Sequence, residues 1–247
     1  MSDVDLIAEY CKAGRLDEAR ACFVRVEQRA RDRPDDPRAR AALANSAVNM
    51  TFGYARHGRL QDARECVEGL EALAAAHSGE PALHLHLARG LFNLLNDLGD
   101  AGRFGEANEC LDRLTQLAAA HPHVPAIRLE LAEGGFNLMN DHIGGGRLDE
   151  ARACLARIGQ LANEHPEDLE VRLRVGRAAV NLIKTFATAG RRDEAMAIAL
   201  ACRPILASPE FRRLVLQHSG PEGAAQFDAL LAGLARATTT PGSPSRT

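Results

Sequence analysis

Apolar residues recur along most of the chain at spacings of three and four, a pattern that predicts amphipathic helices rather than strands. The segment 124–145, VPAIRLELAEGGFNLMNDHIGG, carries one such apolar stripe. The segment 147–165, RLDEARACLARIGQLANEH, carries another, with Asp and Glu in its first turn, where carboxylates suit the helix dipole. The pattern therefore predicts two helices joined by a short turn.

This two-helix unit is repeated. The glycines of the predicted turns follow one another at intervals of 44 residues, and they are Gly14, Gly58, Gly102, Gly146 and Gly190. Glycine ends a helix readily because it enters the left-handed conformation without a steric penalty. One hairpin cannot bury its apolar face alone, whereas about three or more stacked hairpins can. The repeat thus predicts an all-α solenoid of antiparallel helical hairpins.

The repeat also predicts how the chain is divided. Residues 1–34 form an N-terminal half repeat or cap, and residues 35–208 form four hairpins of 44 residues each. Residues 209–236 form C-terminal capping helices, which would cover the apolar end of the stack. Residues 237–247 are Thr, Ser, Pro and Gly with few apolar residues, so we expect a disordered tail.

Small residues stand at fixed places in the repeat. Alanine lies five residues after each turn glycine, and four cysteines lie eight residues after it: Cys22, Cys66, Cys110 and Cys154. Cysteine at a repeated apolar position behaves as a small buried residue. Neither CxxC spacing nor a Cys/His cluster is present. We therefore expect packing positions, with no metal site and no cofactor.

Composition and charge narrow the functional classes. The chain has 247 residues, 46% apolar and 26% charged, with a net charge of −3. This balance argues against a nucleic-acid partner, which usually requires a basic excess. No apolar run approaches 18 residues, so we expect no membrane span. The start, MSDVDLIAEYCK, lacks the features of a signal peptide, and we expect a cytoplasmic protein.

Around the turn the sequence resembles the tetratricopeptide repeat family, in an extended variant. The shared features are the turn glycine, the alanine after it, a later large apolar residue, and an aromatic four residues before the glycine, as at Tyr10, Tyr54 and Phe186. The family repeat usually has 34 residues, and HEAT and armadillo repeats are the second choice. YCKAGRLDEA is also similar to a pentatricopeptide repeat, an RNA reader, but the 44-residue period and the acidic balance argue against it.

The resemblance implies a right-handed superhelix in which the first helices line a concave groove. An asparagine nine residues before the turn glycine contacts extended peptides in that family, and the matching residues are Asn49, Asn93, Asn137 and Asn181. Their neighbours Arg89, Arg177, Asn96 and Asn140 complete the predicted peptide-binding face. An amide has donors and an acceptor, so it can pair with any peptide group. Alternatively, these amides bond neighbouring helices.

The functional hypothesis is a non-enzymatic interaction module that binds a peptide or protein segment in the groove. The alternative is a structural, self-associating scaffold without a groove ligand. An enzyme is less favoured, because neither a phosphate loop nor a nucleophile elbow nor a metal motif is found in the sequence. An RNA-binding repeat protein is less favoured because of the 44-residue period and the acidic balance. The sequence does not identify the partner.

Overall fold

The computed structural model describes residues 2–239, and every regular element within that range is a helix. The helices are α1 (Asp3–Lys12), α2 (Leu16–Asp32), α3 (Pro37–Arg56), α4 (Leu60–Ala76), α5 (Pro81–Asp100), α6 (Phe104–Ala120), α7 (Pro125–Gly144), α8 (Leu148–Glu164), α9 (Leu169–Thr188), α10 (Arg192–Ala201), α11 (Arg203–Leu206) and α12 (Pro209–Thr239). Within α1–α7 and within α8–α12, consecutive helices pack in tandem, which confirms the predicted all-α helical-repeat solenoid. Its right-handedness stays a prediction.

The turn glycines end the first helix of each hairpin as predicted. All five adopt φ angles between 70° and 79°. After Gly14, Gly58, Gly102 and Gly190, the amide of the following arginine donates back to the carbonyl four residues before the glycine, as in Arg59 to Tyr54 and Arg103 to Leu98, both at 2.8 Å. A side chain with a Cβ is disfavoured in this conformation, so only glycine closes the turn without strain.

The chain divides into two compact units, Met1–Gly145 and Gly146–Thr247. In the first unit the first helices α1, α3, α5 and α7 lie side by side, each packed on the next. The second helices α2, α4 and α6 each pack on their own first helix and on the next one. This arrangement buries an apolar stripe of every helix and aligns equivalent residues of α3, α5 and α7 along one face.

The core is built on the small residues. Ala19, Ala63, Ala107 and Ala151 have no exposed surface. Cys22, Cys110 and Cys154 are buried, whereas Cys66 is half-buried. Small side chains at these places let the two helices of a hairpin approach closely, and the larger residues around them fill the remaining space.

Arginines anchor the turns between hairpins. Arg40 and Arg128 each donate to the carbonyl of the proline six residues earlier, at 2.5 Å, and Arg172 does so at 3.3 Å. The fourth equivalent position holds His84, whose ring instead lies 3.9 Å from that of His121. At this repeat position His84 thus places an imidazole against His121, whereas Arg40, Arg128 and Arg172 place a guanidinium against a proline carbonyl.

The second unit ends differently from the repeats before it. Its last second helix, α10, stops at Ala201, and the short α11 follows. Helix α12 is broken at Gly220, with φ 66°, just before Pro221. Phe211 is buried where a Cβ on Gly176 would collide with its ring. Of the predicted disordered tail, residues 237–239 belong to α12 and residues 240–247 lie outside the described residues.

Candidate functional site

The predicted asparagines lie in a row on the first helices of the first unit. Asn49 on α3, Asn93 on α5 and Asn137 on α7 occupy equivalent positions 44 residues apart, and all three are half-buried. Because α3, α5 and α7 pack side by side, the three amides share one face. Asn181 is the exposed equivalent on α9, within the second unit.

One of these amides links neighbouring helices. The Asn137 side-chain nitrogen of α7 donates to the Asn96 side-chain oxygen of α5 at 3.0 Å. This hydrogen bond supports the helix-bonding interpretation that the sequence left open. An amide has two N–H donors and an acceptor oxygen, so this bond leaves part of its capacity for a ligand.

Beside this bond lies a polar cleft of about 200 Å³ between α5 and α7. It is lined by Asn96, Asp100, Asn137, Asn140 and Asp141. Three of the predicted site residues therefore come together, joined by two carboxylates that the sequence pattern did not predict. The sequence could have indicated Asp141, because this residue stands one turn after Asn137 on the same helix.

The electrostatics of the cleft follow from burial and like charge. Burial, and to a smaller degree the nearby Asp100, raise the pKa of Asp141 to about 6. The carboxylate packs against the backbone of Gly99, where a Cβ would collide with it. Burial and Asp100 likewise raise the pKa of Asp97, partly offset by Arg56 and His57. Near neutral pH the cleft presents acceptors for a donor-rich group.

Arg89, the remaining predicted residue of the first unit, lies one turn before Asn93 on α5. Arg89 donates to Glu130 of α7 at 3.3 Å, a second bond between α5 and α7. Burial raises the pKa of Glu130, while the bond to Arg89 works in the opposite direction. Phe52, one turn after Asn49, is a half-buried aromatic on the same helix. Arg177 is exposed on α9 in the second unit.

Metal clusters and membrane spans are both lacking in the part of the chain that the structure describes. Residues 2–239 contain no group of three or more His, Cys, Asp and Glu side chains arranged to hold a metal ion. No helix within the same residues is both long and apolar enough to span a bilayer.

Comparison with known proteins gives one finding. The family model for the PPR repeat, the pentatricopeptide repeat, matches residues 5–29. That range covers most of α1 and α2 and the turn between them. A search of curated proteins gave no match. The finding confirms a tetratricopeptide-like helical repeat in the coarse sense, since the pentatricopeptide repeat is itself such a hairpin; it does not name the tetratricopeptide family.

This match corrects two predictions. Pentatricopeptide repeats typically bind RNA, one base per helical repeat. The peptide-binding hypothesis and the exclusion of a nucleic-acid partner are therefore wrong, and the scaffold alternative gains no support. The 44-residue period and the net charge of the whole chain argued against a pentatricopeptide repeat, but neither describes the first hairpin taken alone. Residues 5–29 carry five Lys and Arg against five Asp and Glu, so the acidic excess lies elsewhere in the chain.

Proposed function

We propose that this chain is a non-catalytic helical-repeat module that binds single-stranded RNA along the face carrying Asn49, Asn93 and Asn137. The observation that supports this function is the match of residues 5–29 to the pentatricopeptide repeat. Proteins built of such repeats read unpaired bases with side chains of successive hairpins. The hairpins that follow continue the same turn chemistry at a longer period, and we propose that they are extended tetratricopeptide-like units.

The chemistry of the face suits unpaired bases. Amides can donate to and accept from the edge of a base, and the three asparagines present this chemistry at regular intervals. Phe52 adds a half-buried aromatic ring one turn from Asn49. Stacking a base on an aromatic side chain contributes roughly 1–3 kcal/mol and tolerates any base. The polar cleft beside Asn137 accepts hydrogen bonds, which suits amino and imino groups of a base edge.

Binding can be measured by fluorescence anisotropy with a labelled single-stranded RNA, its duplex and the matching single-stranded DNA. We expect the single-stranded RNA to bind and the duplex to bind much more weakly, because paired bases hide their edges. The double change Asn49→Ala/Asn93→Ala should weaken binding by roughly 1–3 kcal/mol for each lost bond to a desolvated group.

Asn163→Ala is the matched control, because Asn163 is an exposed asparagine of a second helix, α8. It should leave the affinity unchanged. Absence of binding to single-stranded RNA at low salt, with the protein folded, would contradict the proposal.

The same proposal places the chain among binding proteins of the cytoplasm. A binding role rather than catalysis is supported by the helical-repeat fold, whose matching family binds rather than transforms its ligand. A cytoplasmic location is supported by the cysteine chemistry. Cys11, Cys22, Cys66 and Cys110 are thiols without a disulfide, as expected of a reducing compartment.

A further inference from the structure

A second cavity, of about 420 Å³, opens between α2, α3 and α4 in the first unit. Its floor is apolar and includes Phe23, Leu43 and Leu70. The volume lies within the range of roughly 300–1,000 Å³ that ligand pockets occupy. The asparagine face contributes no residue to this cavity, so a ligand bound here does not depend on the proposed RNA binding.

The repeat explains why a cavity exists at this place. Three of the second helices carry an arginine 11 residues after the turn glycine, and α4 carries Gly69 there; the arginines are Arg25, Arg113 and Arg157. In the neighbouring groove Arg113 of α6 reaches Glu71 of α4, with Nε 2.9 Å from Oε1. Glu27 of α2 is the equivalent of Glu71, and Gly69 stands where its arginine would be.

The missing side chain leaves real space. A Cβ built on Gly69 would meet no atom within 4 Å, the backbone of its own helix aside, among the residues described. Both glycine and arginine are compatible with this helical position, and arginine has the higher helix propensity. The groove between α2 and α4 therefore lacks one guanidinium and the alkyl stem that would carry it.

The charges around the opening favour a cation. Among the residues that the structure describes, Glu27 pairs only with Arg20 of the same helix, at a long 3.7 Å between Nη1 and Oε2. Arg59 is engaged by Asp62 at 2.8 Å. Glu65 also lines the cavity, so three carboxylates face two guanidinium groups. The excess negative charge lies beside an apolar floor, which suits a ligand with a cationic head and an alkyl stem.

We propose that this cavity binds a small alkylguanidinium, with its guanidinium on Glu27 and its alkyl stem against Phe23 and Leu70. The ligand takes the place of the guanidinium that Arg113 supplies in the neighbouring groove. A planar guanidinium can donate two parallel hydrogen bonds to one carboxylate, which gives the site geometric selectivity over an ammonium.

Isothermal titration calorimetry of the full chain with n-propylguanidinium tests the proposal. We expect saturable binding that Glu27→Gln weakens roughly tenfold or more, the usual loss for a charge-assisted bond. Glu71→Gln is the matched control and should leave binding unchanged, because Arg113 already occupies that carboxylate. N-acetylarginine amide, titrated in parallel, carries the same group as it stands in a polypeptide. Its binding would show that an arginine of a partner also fits, and its exclusion would restrict the site to small molecules.

Substitutions at Gly69 provide a second test of the proposal. Gly69→Arg should abolish binding, because the new side chain supplies the guanidinium from within the chain. Gly69→Ala raises the helix propensity about as much as Gly69→Arg does, but it leaves the cavity open, so it should retain binding. The comparison therefore separates the effect of filling the cavity from the effect of a more stable helix. Undiminished binding to Gly69→Arg, or no saturable binding of either ligand to the unaltered protein, would overturn the proposal.

Discussion

At the scale of single residues, the alanine five positions after each turn glycine is buried in all five repeats. It has no exposed surface in the first four repeats. Its neighbour three residues later is a cysteine for a related reason, since a thiol is small and apolar. Burial raises the pKa of the Cys110 thiol to about 11, which keeps it protonated and unreactive.

Ala107→Leu should destabilise the protein by about 1–3 kcal/mol, because extra methylene groups in a close-packed helix contact force backbone or rotamer shifts. Urea or thermal unfolding followed by circular dichroism measures the change. Ala119→Leu, at an exposed position of the same helix α6, is the control and should change stability little. Equal stability of Ala107→Leu and the unaltered protein would place the helix contact elsewhere.

Asp141 is the residue whose ionisation matters most for the polar cleft. Its pKa of about 6 in the folded protein exceeds the ordinary value of 3.8, so the folded state binds the proton more tightly than the unfolded state. Folding stability from this group is therefore greatest below pH 3.8 and is lost as the pH rises through about 6. Asp141→Asn removes the cost of a buried charge.

We therefore expect Asp141→Asn to raise the melting temperature at pH 7.5 and to have little effect near pH 4, where the folded protein already holds the proton. Asp17→Asn, at an exposed position of α2, should show no comparable gain. A gain from Asp141→Asn of the same size at both pH values would contradict the assigned cause.

At the scale of elements, the side chains that link one hairpin to the next differ along the chain. Arg40 bonds both the carbonyl of Pro34 and the carboxylate of Glu80 in the following turn. Between α5 and the turn after α6, the ring of His84 instead lies tilted by 39° against that of His121, and the ring of His123 lies 6.1 Å from that of His121. Burial, then the positive charges of His84 and His123 when protonated, lower the pKa of His121 below 6.5.

This joint should weaken in acid. Because the folded state disfavours protonation of His121, the unfolded state binds more protons, and stability falls as the pH drops below 6.5. The loss of stability is complete once the pH is below the lowered pKa that His121 has in the folded protein. Between pH 7.5 and pH 5 the melting temperature of His121→Gln should therefore fall less than that of the unaltered protein. The difference should be roughly 2–4 °C for each kcal/mol of protonation penalty that the substitution removes.

His77→Gln is the control for this change, because His77 holds the same repeat position at the previous joint, where Arg40 replaces the second imidazole. It should keep the pH dependence of the unaltered protein. Identical melting curves for His121→Gln and His77→Gln at both pH values would contradict the assigned role of His121.

At the scale of the whole molecule, net charge limits how RNA can be held. The chain carries −3 overall, and Asp97, Asp100 and Asp141 lie near the proposed RNA face. Contacts to phosphate groups need free cations, and Arg89 is engaged by Glu130. Base edges and stacking must therefore supply most of the affinity.

The salt dependence of binding tests this balance. The logarithm of the association constant falls by roughly 0.7 per contacted phosphate for each tenfold increase in salt concentration with single strands. We expect a slope equivalent to about one or two phosphates, measured by anisotropy between low and moderate salt. A steep slope, typical of many phosphate contacts, would show that another and more basic surface binds the RNA.

The sequence by itself determined the local architecture. The helices, the turn glycines and the buried alanines follow from apolar spacing and from the left-handed φ of glycine, which are properties of short segments. The function was less accessible, because the turn motif is shared by repeats that bind peptides and repeats that bind RNA. Resemblance around Gly14 therefore could not separate the two classes, and the period and charge of later repeats pointed the wrong way.

The tertiary structure decided which residues of successive repeats meet. Equivalent residues are 44 apart, but the contacts between neighbouring helices join residues 41 or 42 apart, as in Asn96 with Asn137 and Glu71 with Arg113. Adjacent helices are thus offset by about one helical turn, because side chains of one helix pack between those of the next. That offset brings Asn96 to Asn137 and Asp100 to Asp141, and it leaves Glu27 facing the gap at Gly69. No periodicity along the chain specifies it, since it depends on how side chains of different helices fit together.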